Sequence, residues 1–404
     1  MNTWFKTSDI NIKNLIKNKL YTENIRGYVL PHAGTTYTGN ILSHTLRFSP
    51  KNYFNNVLIL YYPANEKENV ILNESEKYHH EYYVLWKTLD YVIRKKWKYG
   101  KKTFSKINVR ELSSENDLSI QKYLHNLNKT LLIISADFSH FLELHESIKK
   151  ENCAAHAIMH RHFPRNLECL NVVDIIDTFK LMYQYIPNNW ILQWLGRTRS
   201  PGTKGVGYLS FLIKQPQKKL KLPNGIFVTA YDNEMQQREC LGEWFTEAKK
   251  YSKIIENDLI KKVINLARTT SRLTGGNYLD VPVKYYTITY LYKDLKSIRN
   301  RKTRKTRITR KHRIKRRLQF ITPKFIRGYH GIKQDAFYLP DVMLENVFNN
   351  GKWILPHDQT WPKNNTYNMK ETLLKIQNKA GRFNRKIDKD HELYYTDVVH
   401  GIVR

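Results

Sequence analysis

The chain has few acidic residues, few cysteines and no long apolar run. Its 404 residues hold 36 Asp and Glu against 68 Lys and Arg, a formal net charge of +32. Such an excess attracts phosphate-rich or acidic partners. The three cysteines, Cys153, Cys169 and Cys240, form no CxxC pair, which argues against a disulfide framework and for a reducing compartment. Apolar runs such as 57–62 fall short of the ~18–20 residues that cross a bilayer. We therefore expect a soluble, cytoplasmic protein without a membrane partner.

Short apolar runs alternate with helical patterns in the first half of the chain. The helical patterns cover 116–127 and 174–186, where apolar residues recur every three or four positions. The expected buried strands are 28–31, 57–63, 131–138 and 206–213. This alternation predicts an α/β domain on a central sheet, over residues 1–214.

A Lys-rich segment with two prolines, residues 215–224, indicates a linker. The pattern that follows it predicts a smaller α+β domain over residues 225–390. Its expected elements are a strand at 226–231, a helix near 257–270, a strand at 283–292 and a last helix near 370–380.

Residues 296–317 contain 13 Lys and Arg among 22 residues and no acidic residue. Charges this dense resist burial, so the segment is expected to be a solvated loop. It is either a nucleic-acid tether or nuclear-import signal, or a loop with no dedicated partner. Because it holds no Phe, Tyr or Trp, binding would be through phosphates and independent of sequence. The candidate nucleic-acid contacts are Arg301, Lys302, Arg304, Lys305, Arg307, Arg310, Lys311, Arg313, Lys315, Arg316 and Arg317.

Two polar motifs follow expected strands of the first domain. The motif PHAGTTYTG, residues 31–39, predicts a tight turn that holds His32 at the carboxyl edge of the sheet, where open α/β sheets bind ligands. The motif SADFSH, residues 135–140, carries Asp137 and His140 three positions apart, so both face one cleft if the chain turns helical there.

These motifs resemble those of the Memo-like proteins, over most of residues 25–213. The resemblance implies the fold of class III extradiol dioxygenases and metal-dependent redox chemistry, with a site of two histidines and one cysteine. It places His32 as the first metal histidine, Asp137 and His140 as the catalytic polar pair, and Cys169 as the cysteine ligand.

The second metal histidine of that family has no counterpart here. The corresponding stretch reads YYPAN, which puts Ala64 or Asn65 at its position. The segment YHHEYY, residues 78–83, resembles a later histidine motif of the family and retains His79 or His80. Three ligands and an open position are needed, so one of His79, His80 or His140 would complete a site for one Fe, Cu or Zn ion. The alternative is a lapsed pocket whose histidines hydrogen-bond within a packed core.

The second domain resembles the AMMECR family in three ordered motifs between residues 223 and 383. They are RECLG at 238–242, GYHGIKQDAFYLPDV at 328–342 and NKAGR at 378–382. Arg238 and Cys240 form a candidate polar site, in which the arginine would lower the pKa of the thiol. The alternative has Cys240 packed beneath the sheet and Arg238 paired with an adjacent glutamate.

Two functions follow as expectations. The first is a Memo-like and AMMECR tandem protein acting as a metal-dependent oxidoreductase or modification factor with an altered metal site. Protein partners from a modification pathway would then be expected. The second is a non-catalytic, nucleic-acid-associated protein tethered through residues 296–317, so enzymatic activity is left open.

Overall fold

A computed structural model gives the fold of the chain. It describes residues 20–22, 24–51, 54–62, 80–108, 126, 129–163, 167–173, 176–202, 204–215, 222–245, 250–269, 282–293, 328–333, 336–345, 348–349, 352–353 and 392–403. These residues form two six-stranded sheets with helices against them, so the prediction of a mixed α/β protein is confirmed.

The first sheet has six strands and helices on both of its faces. The strands are β2 (Ile25–Leu30), β4 (Asn56–Tyr61), β5 (Thr103–Asn108), β6 (Thr130–Ser135), β8 (Ile191–Arg199) and β10 (Gly207–Lys214). Their order across the sheet is β5-β4-β6-β2-β10-β8. The first four in chain order pair in parallel, and β10 pairs antiparallel with both β2 and β8. The sheet is covered on both faces, so residues such as Leu58, Ile133 and Leu209 are fully buried. This explains why its strands appear in the sequence as continuous apolar runs.

The helices on this sheet divide between its two faces. They are α1 (Thr35–Leu46), α2 (His80–Tyr91), α3 (Leu144–Met159) and α4 (Ile176–Tyr185), with a π-helix over Val92–Trp97 and a 3-10 helix over Glu168–Val172. One core cluster packs α3 and α4 on one face, and a second packs α1, α2 and the π-helix on the other. Two short ladders join β1 (Leu20–Thr22) to β3 (Phe48–Pro50) and β7 (Leu142–Glu143) to β9 (Lys204–Gly205).

The second sheet also has six strands. They are β11 (Gly225–Asp232), β12 (Gln237–Trp244), β13 (Val283–Lys293), β14 (His330–Lys333), β15 (Phe337–Tyr338) and β18 (Glu392–Ile402). Their order is β12-β11-β13-β18-β14-β15. Helix α5 (Lys253–Thr269) packs on this sheet through Leu259, Val263 and Ala267. A four-residue helix, α6 (Val342–Glu345), and a ladder of β16 (Phe348–Asn349) with β17 (Lys352–Trp353) complete the described elements.

The second unit does not end at residue 390. Strand β18 lies between β13 and β14, so the sheet is continuous only with residues 392–402 in place.

Two of the expected helices lie outside the described residues. They are the helix near 370–380 and the helix at 116–127, of which only Asn126 is described. Helix α1 begins at Thr35, and the Gly34 carbonyl accepts hydrogen bonds from the backbone of Tyr37 and Thr38 in its first turn.

The two units share a buried contact. Helix α6 lies against β8, and its Leu344 belongs to the same apolar cluster as Trp194. The Gln193 side chain donates a hydrogen bond of 3.0 Å to the carbonyl of Gly328. Both units therefore contribute to one continuous core.

Candidate functional site

A histidine and an aspartate meet at the carboxyl edge of the first sheet, where β2 and β6 end side by side. Leu30 pairs with Ser135 across these strands. The backbone N–H of His32 donates to Asp137 Oδ1 over 3.0 Å. The His32 ring lies between two partners, with Nδ1 2.9 Å from Ser135 Oγ and Nε2 3.6 Å from Asp137 Oδ2. The structure thus brings together His32 and Asp137, two of the residues singled out in the sequence.

This His32 centre is closed to solvent. His32 and Asp137 are 4% and 3% exposed, and Glu81, at the start of α2, is equally buried. Burial lowers the pKa of His32 to about 4, against an opposing effect of the Glu81 charge and together with a further lowering by His140. The imidazole is therefore neutral at neutral pH.

The loop that carries Asp137 and His140 is irregular rather than helical. Residues 136–140 have no regular structure, so the helical turn on which the pairing of Asp137 with His140 depended is absent there. His140 still lies near the His32 centre, as its effect on the pKa of His32 indicates, and its Nδ1 is 2.8 Å from the Phe138 carbonyl. Ser135 Oγ donates to the Glu81 carbonyl, which fastens the start of α2 to the end of β6.

The cysteine expected as a metal ligand is engaged elsewhere. Cys169 forms a disulfide with Cys153, so its sulfur is not a thiolate, and its assignment as a ligand is corrected. The expectation that the cysteines form no disulfide is wrong for this pair. Cys153 and Cys169 are 16 positions apart in the sequence, but the packing of α3 against the 3-10 helix brings them together. The cysteine count therefore no longer argues for a reducing compartment.

The other expected ligands do not complete a metal site. His80 begins α2, but its side chain is outside the described residues, as are His79, Ala64 and Asn65. No group of three His, Cys, Asp or Glu side chains able to hold a metal ion occurs in the described part of the chain. The three-ligand set implied by the Memo-like resemblance is thus not supplied by these residues.

A buried ion pair next to this centre was not anticipated from the sequence. Arg197, on β8, is fully buried and donates to Glu151 Oε2, on α3, over 2.7 Å. Glu151 Oε1 accepts hydrogen bonds from Ser147, at 2.8 Å, and from Ser139 of the loop that carries Asp137. The pair therefore ties that loop to α3 and β8.

Gly207 makes room for this pair. A Cβ atom at that position would lie 1.7 Å from Glu151 Oε1, so only glycine permits the carboxylate to reach the loop. The apolar run around Gly207 gave no signal of this, because the close approach involves a residue 56 positions earlier in the chain.

The candidate pair of the second unit lies on β12. Arg238 is the extra residue of a bulge, since Ala230 pairs with Glu239 and Tyr231 with Gln237. Arg238 and Glu239 are both buried. Cys240 keeps its thiol, half-buried opposite Thr229, whose hydroxyl donates to its sulfur over 3.2 Å. The Cys240 thiol thus takes part in a hydrogen bond within the sheet, and a binding role for Arg238 and Cys240 stays a prediction.

Histidines also gather where the two units meet. His160 and His400 place their Nδ1 atoms 3.3 Å apart, and His156 Nε2 lies 2.5 Å from Glu345 Oε1. Burial, with Arg161 and His156, lowers the pKa of His400 to about 3. Burial opposes protonation of His156, but the charge of Glu345 and its hydrogen bond outweigh it and raise that pKa.

A cavity of about 40 Å³ adjoins these rings and is lined by His156, His160, Tyr231, Asp341 and His400, among others. Burial and the charge of Glu345 raise the pKa of Asp341 to about 6. The cavity has room for a few water molecules.

The basic residues 301–317 proposed to contact nucleic acid lie outside the described residues. In the described part of the chain, no helix is long and apolar enough to span a membrane.

The fold and its centre define a mixed α/β protein with two six-stranded sheets and a buried His–Asp pair at the carboxyl edge of the first. No family model matches the chain, and no curated protein matches it.

Proposed function

We propose that this chain is a nucleic-acid-associated protein, in which both units serve as a scaffold and residues 296–317 act as the tether. The observation that carries this proposal is the charge distribution. The chain has a net charge of +32, and this segment holds 13 cations without one carboxylate. A segment of this kind binds phosphates by releasing counterions and does not read sequence.

The state of the His32 centre supports a scaffold rather than a catalyst. His32 is 4% exposed, and its ring lies between the polar side chains of Ser135 and Asp137. Its expected cysteine partner is in a disulfide. A catalytic centre needs access for substrate, whereas these side chains fasten β2, β6 and α2 to one another.

The proposal is tested by replacing residues 296–317 with a neutral Gly/Ser linker of the same length in the full chain. Binding to a fluorescein-labelled duplex DNA of arbitrary sequence is measured by anisotropy at several salt concentrations. The replacement is expected to weaken binding and to reduce the slope of log K against log salt by several units, about 0.9 for each phosphate that the protein no longer neutralises.

A scrambled version of the segment with unchanged composition is the matched control, and it is expected to bind like the original. Unchanged affinity and unchanged salt slope after the neutral replacement would refute the tether.

A second candidate is a metal-dependent oxidoreductase or modification factor. The convergence of His32 and Asp137 at the sheet edge, beside the buried Glu81, favours it. It requires one Fe, Cu or Zn ion and ligands beyond the described set. Elemental analysis of purified chain and of a His32→Ala variant distinguishes the candidates: stoichiometric metal that the variant loses supports this one, and metal-free protein rejects it.

At the level of family, we propose a Memo-like first unit with an extradiol dioxygenase-like sheet and an AMMECR-type second unit. The positions of the two N-terminal motifs, directly after β2 and at the end of β6, support the first assignment. The motif RECLG on β12 and the motif spanning β14 and β15 support the second. Under this assignment, protein partners from a modification pathway would be expected.

A further inference from the structure

Basic side chains gather at the edge of the first sheet opposite the His32 centre. Strands β4, β5 and β6 all begin at this edge, since Asn56 pairs with both Thr103 and Thr130. The loops before them are joined by backbone hydrogen bonds, from Asn55 to Lys129 over 2.9 Å and from Thr103 to Asn55 over 3.2 Å.

The crossover between β4 and β5 brings more cations to the same edge. Because these strands are parallel, α2 and the π-helix return the chain to the edge where β4 began. The π-helix Val92–Trp97 and the turn after it therefore lead back to this edge, where β5 begins at Thr103. The contact of the Tyr99 hydroxyl with the Pro50 carbonyl brings Lys51 to this edge as well.

We call the resulting surface the basic rim, and define it as Lys51, Arg94, Lys95, Lys96, Lys98, Lys101 and Lys129. All are exposed except Lys96, which is half-buried. Within residues 51, 54–55, 90–102 and 129, the single acidic residue is Asp90, which pairs with Arg94 over 3.3 Å. The rim thus keeps a strong positive charge.

The backbone beneath the rim is held in place. The buried Trp97 indole donates to the Leu46 carbonyl over 2.9 Å. The N–H of Tyr99 closes the π-helical turn on Ile93, and the Tyr99 ring packs edge-on against Phe54. Lysine side chains are flexible, but their Cα positions are fixed relative to one another, which distinguishes the rim from a solvated charge run.

The composition of the rim selects its partner. Of the aromatic residues beneath it, Phe54 and Trp97 are buried, and Tyr91 and Tyr99 are half-buried. The exposed large apolar residues of the described chain belong to other segments, and they are Phe141, Leu222, Ile254, Val399 and Ile402. The rim therefore offers neither a stacking platform for unpaired bases nor an apolar group to insert into a bilayer. A group of cations on an ordered backbone, without such groups, favours the phosphate backbone of a duplex as the partner.

We propose that the basic rim is a second nucleic-acid contact, which binds duplex backbone independently of sequence and of residues 296–317. This rests on the proposed association with nucleic acid, for which the rim gives a docking surface on the folded first unit.

The test removes three rim charges at once with Lys95→Gln, Lys98→Asn and Lys101→Gln. Asparagine is used at residue 98 because that residue has φ of 62°, which asparagine tolerates. Binding to the labelled duplex DNA is measured against salt in two backgrounds, the native chain and the chain with the neutral linker at 296–317. The triple variant is expected to lower the salt slope by about 3 in both backgrounds.

The matched control removes the same charge from exposed positions on α5, with Lys261→Gln, Lys262→Gln and Arg268→Gln. Circular dichroism and urea midpoints establish that both triple variants are folded. If the two triple variants bind alike in both backgrounds, the rim is not a site. That result leaves the tether standing if the linker replacement alone weakens binding.

If the rim variant weakens binding while the linker replacement does not, the rim stands and the tether fails. Phosphatidylserine vesicles are the competing probe. A rim variant that loses vesicle binding but keeps duplex binding overturns the assignment of the partner.

Discussion

Replacing Glu151 by Gln tests how far the loop beside His32 depends on the buried ion pair. The substitution preserves the size of the side chain and removes its charge. Arg197, whose side chain is 0% exposed, would then lose the carboxylate that it contacts over 2.7 Å. Removing one partner of a buried pair typically costs about 3–5 kcal/mol of unfolding free energy, because the other charge stays buried. A glutamine oxygen still accepts hydrogen bonds, so we expect a cost at the lower end, about 3 kcal/mol.

The assay is urea unfolding of the full chain, followed by fluorescence and compared at constant m value. The matched control is Glu146→Gln on the same helix. Its exposed carboxylate pairs with Lys150 at 2.9 Å and contributes less than about 0.5 kcal/mol. A second variant, Glu151→Gln with Arg197→Met, removes both charges and is expected to recover part of the stability.

Equal midpoints for Glu151→Gln and Glu146→Gln would refute the reasoning. The double variant gives a second way to refute it. A buried substitution is expected to cost about 1 kcal/mol in packing, so a double variant that is less stable than Glu151→Gln by more than this amount would also refute the reasoning.

Two further predictions concern stability. Burial lowers the pKa of His32 to about 4 and that of His400 to about 3, so the folded chain binds fewer protons than the unfolded one, whose histidines titrate near 6.5. The free energy of unfolding should therefore fall as the pH drops below 6.5, and by pH 5 each histidine should account for a loss of about 2 kcal/mol. In urea unfolding, a His400→Asn variant should show a shallower decline of the midpoint with falling pH. A decline as steep as that of the native chain would contradict this. Reducing the Cys153–Cys169 disulfide, whose cysteines are 16 residues apart, should lower the free energy of unfolding by about 3 kcal/mol. Reductant should have no such effect on a Cys169→Ser variant, whereas a Cys240→Ser variant should respond like the native chain.

The sequence was sufficient for features that depend on local pattern. Apolar runs located strands such as β4 and β6, because a strand buried on both faces shows its burial directly in its composition. The turn motif around His32 was enough to place that residue at the carboxyl edge of the sheet, since a strand followed at once by a helix leaves it there. The Lys-rich segment at 215–224 falls between the last strand of the first sheet, which ends at Lys214, and the first strand of the second, which begins at Gly225.

Only the tertiary structure decided which distant residues meet. The Cys153–Cys169 disulfide and the Glu151–Arg197 pair each join elements whose contact depends on how α3 packs. Strand β18 enters the middle of the second sheet from the end of the chain, and no local pattern specifies such an order. The physical reason is that local periodicity reports whether a residue is buried, whereas the identity of its neighbour depends on strand order and helix packing.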